Sequence, residues 1–423
     1  MKILLIYQYF HDRDVKGGSR FNEMTVYWSE LGHQTTVLAG MLHSAGSSTG
    51  KPERYRGKYV FEEPYGEGVR LIRSHVSGAY NSNFLGRLWG YFSFVFSSLF
   101  AGMFRARESY DMVIVSSPSL MNGITGYLLS RFKRIPLVFE IRDLWPESAI
   151  DAGVLNPKGL MVWFAFRLEA FLYRKSKKIV VLTPAFKRVL VADKNVDASK
   201  VVIVPNGADF RIIDELTEAG FDPITHREAL GFNDSFVLTY AGAHGRANHL
   251  IQLVDGAERI KDTNALIVLV GDGPQKKSLI DEADRRGLRN IRFIDSMTKT
   301  DILKLISASD VGISVLKKAD TFKTIYSNKT FDYMGCKKPV LMMIDGASRE
   351  LIEDAKAGVY AEPEDVDAFE KAVRNLLVLI DKGDADSQGE NGYVYARKHF
   401  SRRQIAVDYA RYLSELNSPG SGQ

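Results

Sequence analysis

The chain has 423 residues, with 45% hydrophobic and 25% charged content, the balance of a globular protein long enough for two or three domains with cores of their own. A single cysteine, Cys336, excludes an internal disulfide and any cysteine-rich metal site, and points to a reducing compartment. Net charge is +5, unevenly spread: residues 1–205 hold 27 Lys+Arg against 17 Asp+Glu, and residues 206–423 hold 29 against 34. The basic half fits an anionic membrane or an anionic lipid-linked substrate. Nucleic acid is not supported, because the chain carries no basic–aromatic RNA motif and no zinc-finger spacing.

In chain order, MKILLIYQYF opens with aliphatics too few for a signal h-region and reads as a first buried strand, Lys2–Tyr7. Gly17-Gly18 follows in a loop, then Phe21, Met24, Trp28 and Leu31 recur at helical spacing, and Thr35–Leu38 is the next strand. Phe84–Phe104 is almost wholly apolar, long enough to raise the question of a membrane span, but its glycines and serines favour a core or interfacial helix. Met161–Tyr173 is equally aromatic and runs into RKSKK. Met112–Val115, Leu137–Ile141, Ile179–Leu182 and Val201–Val204 are further buried strands, and Pro205-Asn206-Gly207 is a turn that suits a domain boundary.

The rhythm then restarts. Strand Phe236–Tyr240, loop Gly242–Arg246, helix His249–Ile260, strand Ala265–Val270, helix Gln275–Arg286, strand Ile291–Ile294 and helix Thr300–Ala308 follow in turn. Val311–Leu316 is a strand, followed by a loop with Lys317, Lys318 and Lys323 against a lone Asp320. Ser327-Asn328 reads as a helix N-cap, with Asp332 one turn in, and Val340–Ile344 is the next strand. Such alternation predicts an α/β protein with two doubly wound domains, 1–205 and 206–400, and a terminal helix over 401–416.

Several loops offer chemistry. A helix start gathers N–H donors and a positive dipole end, which suits a diphosphate, and Asp332 is placed to accept from the hydroxyls of a ribose. Gly271-Asp272-Gly273-Pro274 either admits a ligand to its backbone or is a βα turn needing positive φ. Arg246 in GAHGRAN stands near a helix start, where its charge opposes the dipole, and offers a planar fork to phosphate oxygens. Glu140, Arg142, Asp143 and Glu147 in EIRDLWPE crowd the end of a strand, the place where α/β folds hold ligands. Asp384-Ala385-Asp386 reads as solvated loop, and the eight histidines show no metal-ligand spacing, so no metal is expected.

PNG at 205–207, VGDGP at 270–274 and SNKTFDYMGCKKPV at 327–340, in this order, resemble the retaining glycosyltransferases of family 4. With RDLWPES in the first half, the likeness is greatest to bacterial enzymes that build O-antigen or capsule repeat units. The resemblance implies a GT-B fold, with two Rossmann-like domains, a cleft between them and a last helix crossing back to the first. It implies a nucleotide-sugar donor, UDP by preference, held mainly by the second domain. A lipid-linked saccharide acceptor would lie on the first, at the inner face of the cytoplasmic membrane, with no cofactor. By position, the family's ribose carboxylate falls at Asp332, a histidine of many relatives at Arg142, and its basic pair near Ala243 and Asn248, neither of them basic. Arg246 and Lys329 are then the replacements, and catalysis is assigned to Arg142, Asp143, Arg246 and Lys329. Donor contacts fall to Gly17, Gly18, Gly245, Gly271, Asp272, Gly273, Ile294, Ser327, Asn328, Thr330 and Asp332. The first Glu of the family's E-x7-E motif would fall at Thr324 and is absent. A UDP-sugar 2-epimerase of the same fold, or a non-catalytic sugar-nucleotide-binding partner of a membrane assembly, are the competing readings.

Overall fold

The computed structural model describes residues 1–12, 20–42, 53–81, 84–117, 119–151, 153, 155–381 and 383–417. Gly17 and Gly18 lie outside them. The chain divides into two compact units, Met1–Pro205 with the chain from Arg403 onward, and Asn206–Arg402.

In unit 1 the chain runs β1 (Lys2–Ile6), α1 (Arg20–Glu30), β2 (Gln34–Gly40), β3 (Val60–Gly66), β4 (Val69–Ser74) and α2 (Phe84–Phe104). Then come β5 (Met112–Ser116), α3 (Asn122–Lys133), β6 (Leu137–Ile141), α4 (Glu147–Asp151), α5 (Leu160–Lys175), β7 (Lys178–Val181), α6 (Pro184–Ala192) and β8 (Val201–Ile203). The eight strands order as β3-β4-β2-β1-β5-β6-β7-β8, and all pairs are parallel except β3 with β4. Strands buried on both faces explain the unbroken aliphatic runs of β1, β5 and β6. One face is closed by Phe21, Met24 and Trp28 of α1 together with the final helix, α16 (Arg402–Asn417), through Ile405, Tyr409 and Leu413. The Trp28 indole donates to the Ala406 carbonyl at 3.0 Å, so the last helix does pack on the first sheet. Helices α2, α3 and α5 cover the other face.

The β3–β4 hairpin was not apparent in the sequence. Its charges pair across the strands and inward: Arg73, fully buried, reaches Glu63 at 3.2 Å and also Asp12. Helix α2 is neither a core helix nor a span. Phe94, Ser97, Ser98 and Ala101 are buried, and a Cβ on Gly102 would sit 2.3 Å from Leu129 of α3, while Trp89, Phe96, Phe100 and Phe104 are exposed. Among the described residues no helix is long and apolar enough to cross a membrane.

Unit 2 begins with α7 (Phe210–Glu218) and α8 (Pro223–Ala229), then alternates β9 (Phe236–Ala241), α9 (Ile251–Arg259), β10 (Ala265–Val270), α10 (Lys276–Arg285), β11 (Ile291–Ile294) and α11 (Lys299–Ser307). It continues with β12 (Val311–Val315), α12 (Asn328–Gly335), β13 (Val340–Met343), α13 (Ala347–Asp354), β14 (Gly358–Tyr360), α14 (Val366–Asp381) and α15 (Asp384–His399). The six parallel strands order as β11-β10-β9-β12-β13-β14. Leu253, Val254, Leu279, Phe369 and Val373 pack on one face, and Phe331, Tyr333, Leu303 and Leu351 on the other. The segment containing Asp384 and Asp386 heads α15, correcting the loop reading.

Candidate functional site

The strand order of unit 2 places its switch point between β9 and β12, from which the chain winds outward in both directions. Crevices at the carboxyl ends of strands at such points are where open α/β sheets bind ligands. The two strands pair only through Leu238–Val311 and Thr239–Gly312. Beyond that, the Tyr333 hydroxyl of α12 fills the gap, accepting from the Ala241 N–H at 3.0 Å and donating to the Ile313 carbonyl at 3.0 Å. Gly312 permits this, since a Cβ there would lie 2.1 Å from the Tyr333 ring. The helix that carries Lys329 and Asp332 is thus bolted over the crevice by its own tyrosine.

Lys329 is half-buried. Its stem lies across Gly242, whose Cβ would stand 3.1 Å from Lys329 Cε, and its ammonium sits 4.7 Å from the centroid of the Tyr240 ring. The ammonium donates no hydrogen bond among the described residues. Burial lowers it to about 8, against the opposing pull of Asp332. Arg246, on the loop after β9, is exposed and has no ion pair among the described residues. Among the described residues neither of these two cations at the switch-point crevice has an ion pair.

The other lysines of this region are engaged, against the sequence picture of a free basic loop. Lys318 meets Glu362 at 2.8 Å, and Lys323 meets Asp320 at 3.0 Å with Asp345 beyond. The Asp332 carboxylate pairs with Lys299 at the start of α11, so it is already engaged by an ammonium. Sequence reasoning missed Lys299. It opens a helix with a positive charge, the same misfit with the dipole that drew attention to Arg246.

Several predicted donor contacts have structural explanations. Thr330 is buried and its hydroxyl shares a 2.7 Å hydrogen bond with Ser314, turning it away from the helix start. Ser327 occupies the N-cap position of α12, but its hydroxyl makes no cap bond, correcting the expected cap. Asn328 alone of that turn is exposed. Gly271, at φ 144°, could carry no Cβ, which would fall 1.9 Å from the Gly242 carbonyl. At Gly273, φ 157°, a Cβ would fall 2.6 Å from that of His244. These glycines let two loops touch, so their need is met by the protein itself. Asp272 accepts from the Gly273 N–H at 2.7 Å, and the Ile294 carbonyl accepts from Gly271 N–H and Lys276 Nζ, both at 3.1 Å. Gly245 has room for a Cβ, which would make ordinary contact with Asn248 Nδ2 at 3.6 Å.

His244 is the residue no sequence signal marked. It is fully buried between Tyr240 and Phe293, and neither ring nitrogen has a hydrogen-bond partner. Burial, then the charge of Lys276, lowers it to about 4, so the ring is neutral at pH 7.

In unit 1 the switch point lies between β1 and β5. Here the four charges of EIRDLWPE separate by role. Glu140 is fully buried, paired with Arg20 at 3.1 Å and accepting from Ser116 at 2.9 Å, while Arg20 also donates to the Val204 carbonyl at 2.8 Å. This pair clamps α1 to the sheet. Glu147 pairs with Lys194, which also holds Glu169 at 2.6 Å. Arg142 and Asp143 remain at the end of β6. The Arg142 N–H donates to Ser117 at 2.9 Å, its guanidinium bonds the Tyr7 hydroxyl, and its Nε is buried without a partner. Burial raises the Asp143 carboxyl, opposed by a hydrogen bond from Ser148. No group of three metal-ligating side chains occurs among the described residues.

Two doubly wound units of this kind, the second with a cationic switch-point crevice, define the GT-B architecture of sugar-transferring enzymes. Residues 17–207 match the glycosyl transferase 4-like domain and residues 235–378 the glycosyl transferases group 1 domain, and the chain is a glycosyltransferase of that type. It is 23% identical over 386 residues, 90% of this chain and 93% of the relative, to the putative colanic acid biosynthesis glycosyl transferase WcaI of Escherichia coli K12. It is 25% identical over 213 residues to the Escherichia coli UDP-Gal:alpha-D-GlcNAc-diphosphoundecaprenol alpha-1,3-galactosyltransferase, covering 49% of this chain and 52% of that one. Among solved structures, HepE of Anabaena, in complex with UDP and glucose, superimposes with a TM-score of 0.70 at 18% identity over 98% of this chain and 100% of that one. A glycosyltransferase of Rickettsia africae gives 0.67 at 16% identity, with 98% of each chain covered.

Proposed function

We propose that unit 2 binds a nucleoside-diphosphate sugar, with UDP as the nucleotide, and that the enzyme transfers its sugar with retention onto a saccharide carried on polyprenyl diphosphate, in the synthesis of a bacterial surface polysaccharide. The observation that carries the donor assignment is Lys329, a poorly solvated ammonium with no acceptor among the described residues, held on the helix that caps the switch-point crevice. Bringing a diphosphate there restores the solvation that burial removed. Arg246 supplies a second cation from the loop after β9, which the Lys329 stem crosses at Gly242.

In the reaction, the bond between the anomeric carbon and the β-phosphate oxygen breaks, and charge gathers on the leaving diphosphate. Lys329 and Arg246 stabilise that charge, the principal electrostatic demand of the step. The acceptor hydroxyl attacks the same face, and its proton passes to the departing phosphate oxygen. Asp332, with Lys299, takes the ribose hydroxyls. Arg142 and Asp143 stand at the carboxyl edge of the unit 1 sheet for the acceptor side. The name of the Escherichia coli galactosyltransferase, with a UDP donor and a diphosphoundecaprenol acceptor, supports this pairing of substrates.

The enzyme works at the inner face of the cytoplasmic membrane, seated by the aromatic ridge of unit 1. Trp89, Phe96 and Phe100 of α2 and Leu160, Trp163 and Phe164 of α5 are all exposed, an arrangement suited to the interfacial zone of a bilayer. A screen of UDP- and GDP-sugars for binding, followed by transfer to polyprenyl-diphosphate saccharides, tests the proposal. Binding without transfer to any such acceptor would overturn it. The ridge is tested by vesicle sedimentation, where Phe96→Ser with Trp163→Ser should release the protein.

A further inference from the structure

Unit 1 contains an apolar cavity of about 60 Å³ at the carboxyl edge of its sheet, beside the β1–β5 switch point. Its wall draws on two helices and two loops. Leu88 and Tyr91 come from α2, and Met161 and Ala165 from α5, each pair spaced to share a helix face, while Trp145 comes from the loop after β6. Ser119, on the loop between β5 and α3, is the exception in chemistry. It is 5% exposed and its hydroxyl has no hydrogen-bond partner, yet it lines this otherwise apolar space. A buried hydroxyl left without a partner is costly, so an occupant that accepts a hydrogen bond is favoured there.

A second unpartnered donor stands at the end of β6, the strand beside β5. The buried Arg142 Nε, which has no acceptor, belongs to a residue whose N–H bonds Ser117, two positions before Ser119, and which lies three positions before Trp145. The strand edge therefore offers two unsatisfied donors, Ser119 in the wall of the hollow and Arg142 outside it on the neighbouring strand end. Such a pairing fits an amphiphile with an anionic head and an apolar chain. Phe164 lines the cavity and is also 50% exposed, and its neighbours Leu160 and Trp163 are exposed too, so the hollow opens onto the aromatic ridge. A space of this size holds only the head-proximal part of a long chain, and the rest has the ridge to follow.

We infer that this cavity is the binding site for the first isoprene unit of the acceptor's polyprenyl chain, with its diphosphate met by Ser119 Oγ and Arg142 Nε. The assignment rests on the lipid-linked acceptor proposed above and adds where, and by what chemistry, the carrier is recognised.

Farnesyl diphosphate, inorganic diphosphate and farnesol serve as probes, with binding to the full chain read by calorimetry and UDP titrated separately. Wild-type protein should bind farnesyl diphosphate at least about tenfold more tightly than either inorganic diphosphate or farnesol. Ala165→Leu, which fills the cavity, should remove that preference while UDP binding stays unchanged. Ser119→Ala should weaken farnesyl diphosphate about three- to tenfold without affecting farnesol. Equal affinity of wild-type protein for farnesyl and inorganic diphosphate overturns the inference, and so does an undiminished preference in Ala165→Leu. Should Ala165→Leu not fold, Met161→Phe at the same wall gives the same comparison. The UDP arm separates the two readings. Lost UDP binding with an intact farnesyl preference refutes the donor site alone, and the reverse refutes the cavity alone.

Discussion

Replacing Lys329 by alanine removes an ammonium that burial has already made reluctant to stay charged. A hydrogen bond to a charged group contributes about 1.5–3 kcal/mol, so Lys329→Ala should weaken UDP binding by about 10- to 150-fold at pH 7. Turnover should fall by a comparable or larger factor, because leaving-group charge is greatest in the transition state. The lowered value of about 8 adds a pH signature. In the free enzyme the ammonium is about nine-tenths protonated at pH 7 and about one-tenth at pH 9. Bound diphosphate requires the charged form, so wild-type affinity should decline by up to about tenfold across that interval. Lys329→Arg keeps its charge throughout and should flatten the profile. Calorimetric titration of UDP from pH 6.5 to 9.5 reads all three proteins. Wild-type affinity at pH 7 in Lys329→Ala, or an unchanged slope in Lys329→Arg, would refute the reasoning.

Three further outcomes follow from the geometry. Gly271→Ala should destabilise unit 2 by more than about 2 kcal/mol, because its Cβ meets the Gly242 carbonyl, whereas Gly245→Ala should be nearly neutral; urea unfolding distinguishes them. Glu140→Gln should cost about 3 kcal/mol or more in unit 1 by leaving the buried Arg20 guanidinium without its carboxylate, read from the same unfolding curves. His244 takes up its proton at about 4 in the folded protein against 6.5 in the unfolded chain. The folded state therefore binds fewer protons between those values, and stability should drop as pH falls through that window, by a few kcal/mol at most. His244→Leu should lose that part of the acid dependence, and an identical pH profile in both proteins would show that His244 does not titrate as described.

Much of the fold was legible because parallel strands buried on both faces leave unbroken aliphatic runs, as in Ala265–Val270 and Leu137–Ile141, whose bounds the sequence and structure share. The β3–β4 hairpin was hidden by its charges, since Glu62, Glu63, Arg70 and Arg73 read as surface until their partners across the strands are seen. Helix α15 was hidden for the opposite reason. Its Gly389 and Gly392 look like loop residues, but a Cβ on Gly389 would meet the Lys337 carbonyl at 2.1 Å, so packing against α12 and its C-terminal turn overrides helix propensity. At the site, Arg246 could be named from sequence because a cation near a helix start is a misfit, and Lys329 through the family resemblance of its segment. That Thr330 turns inward, or that Asp332 already holds Lys299, depends on side-chain directions that spacing does not encode. His244 lies in a loop buried by contacts distant in sequence, the Phe293 ring and the Gly271–Gly273 turn, which no local pattern announces.

The most direct test of the account is transfer itself. Purified enzyme is incubated with radiolabelled UDP-sugars and a polyprenyl-diphosphate N-acetylhexosamine acceptor, and the lipid product is analysed for linkage. The account predicts label in the lipid fraction, stoichiometric release of UDP, and an anomeric configuration matching the donor's. Release of free sugar or an epimerised nucleotide sugar without lipid product, or a product of inverted configuration, would contradict it.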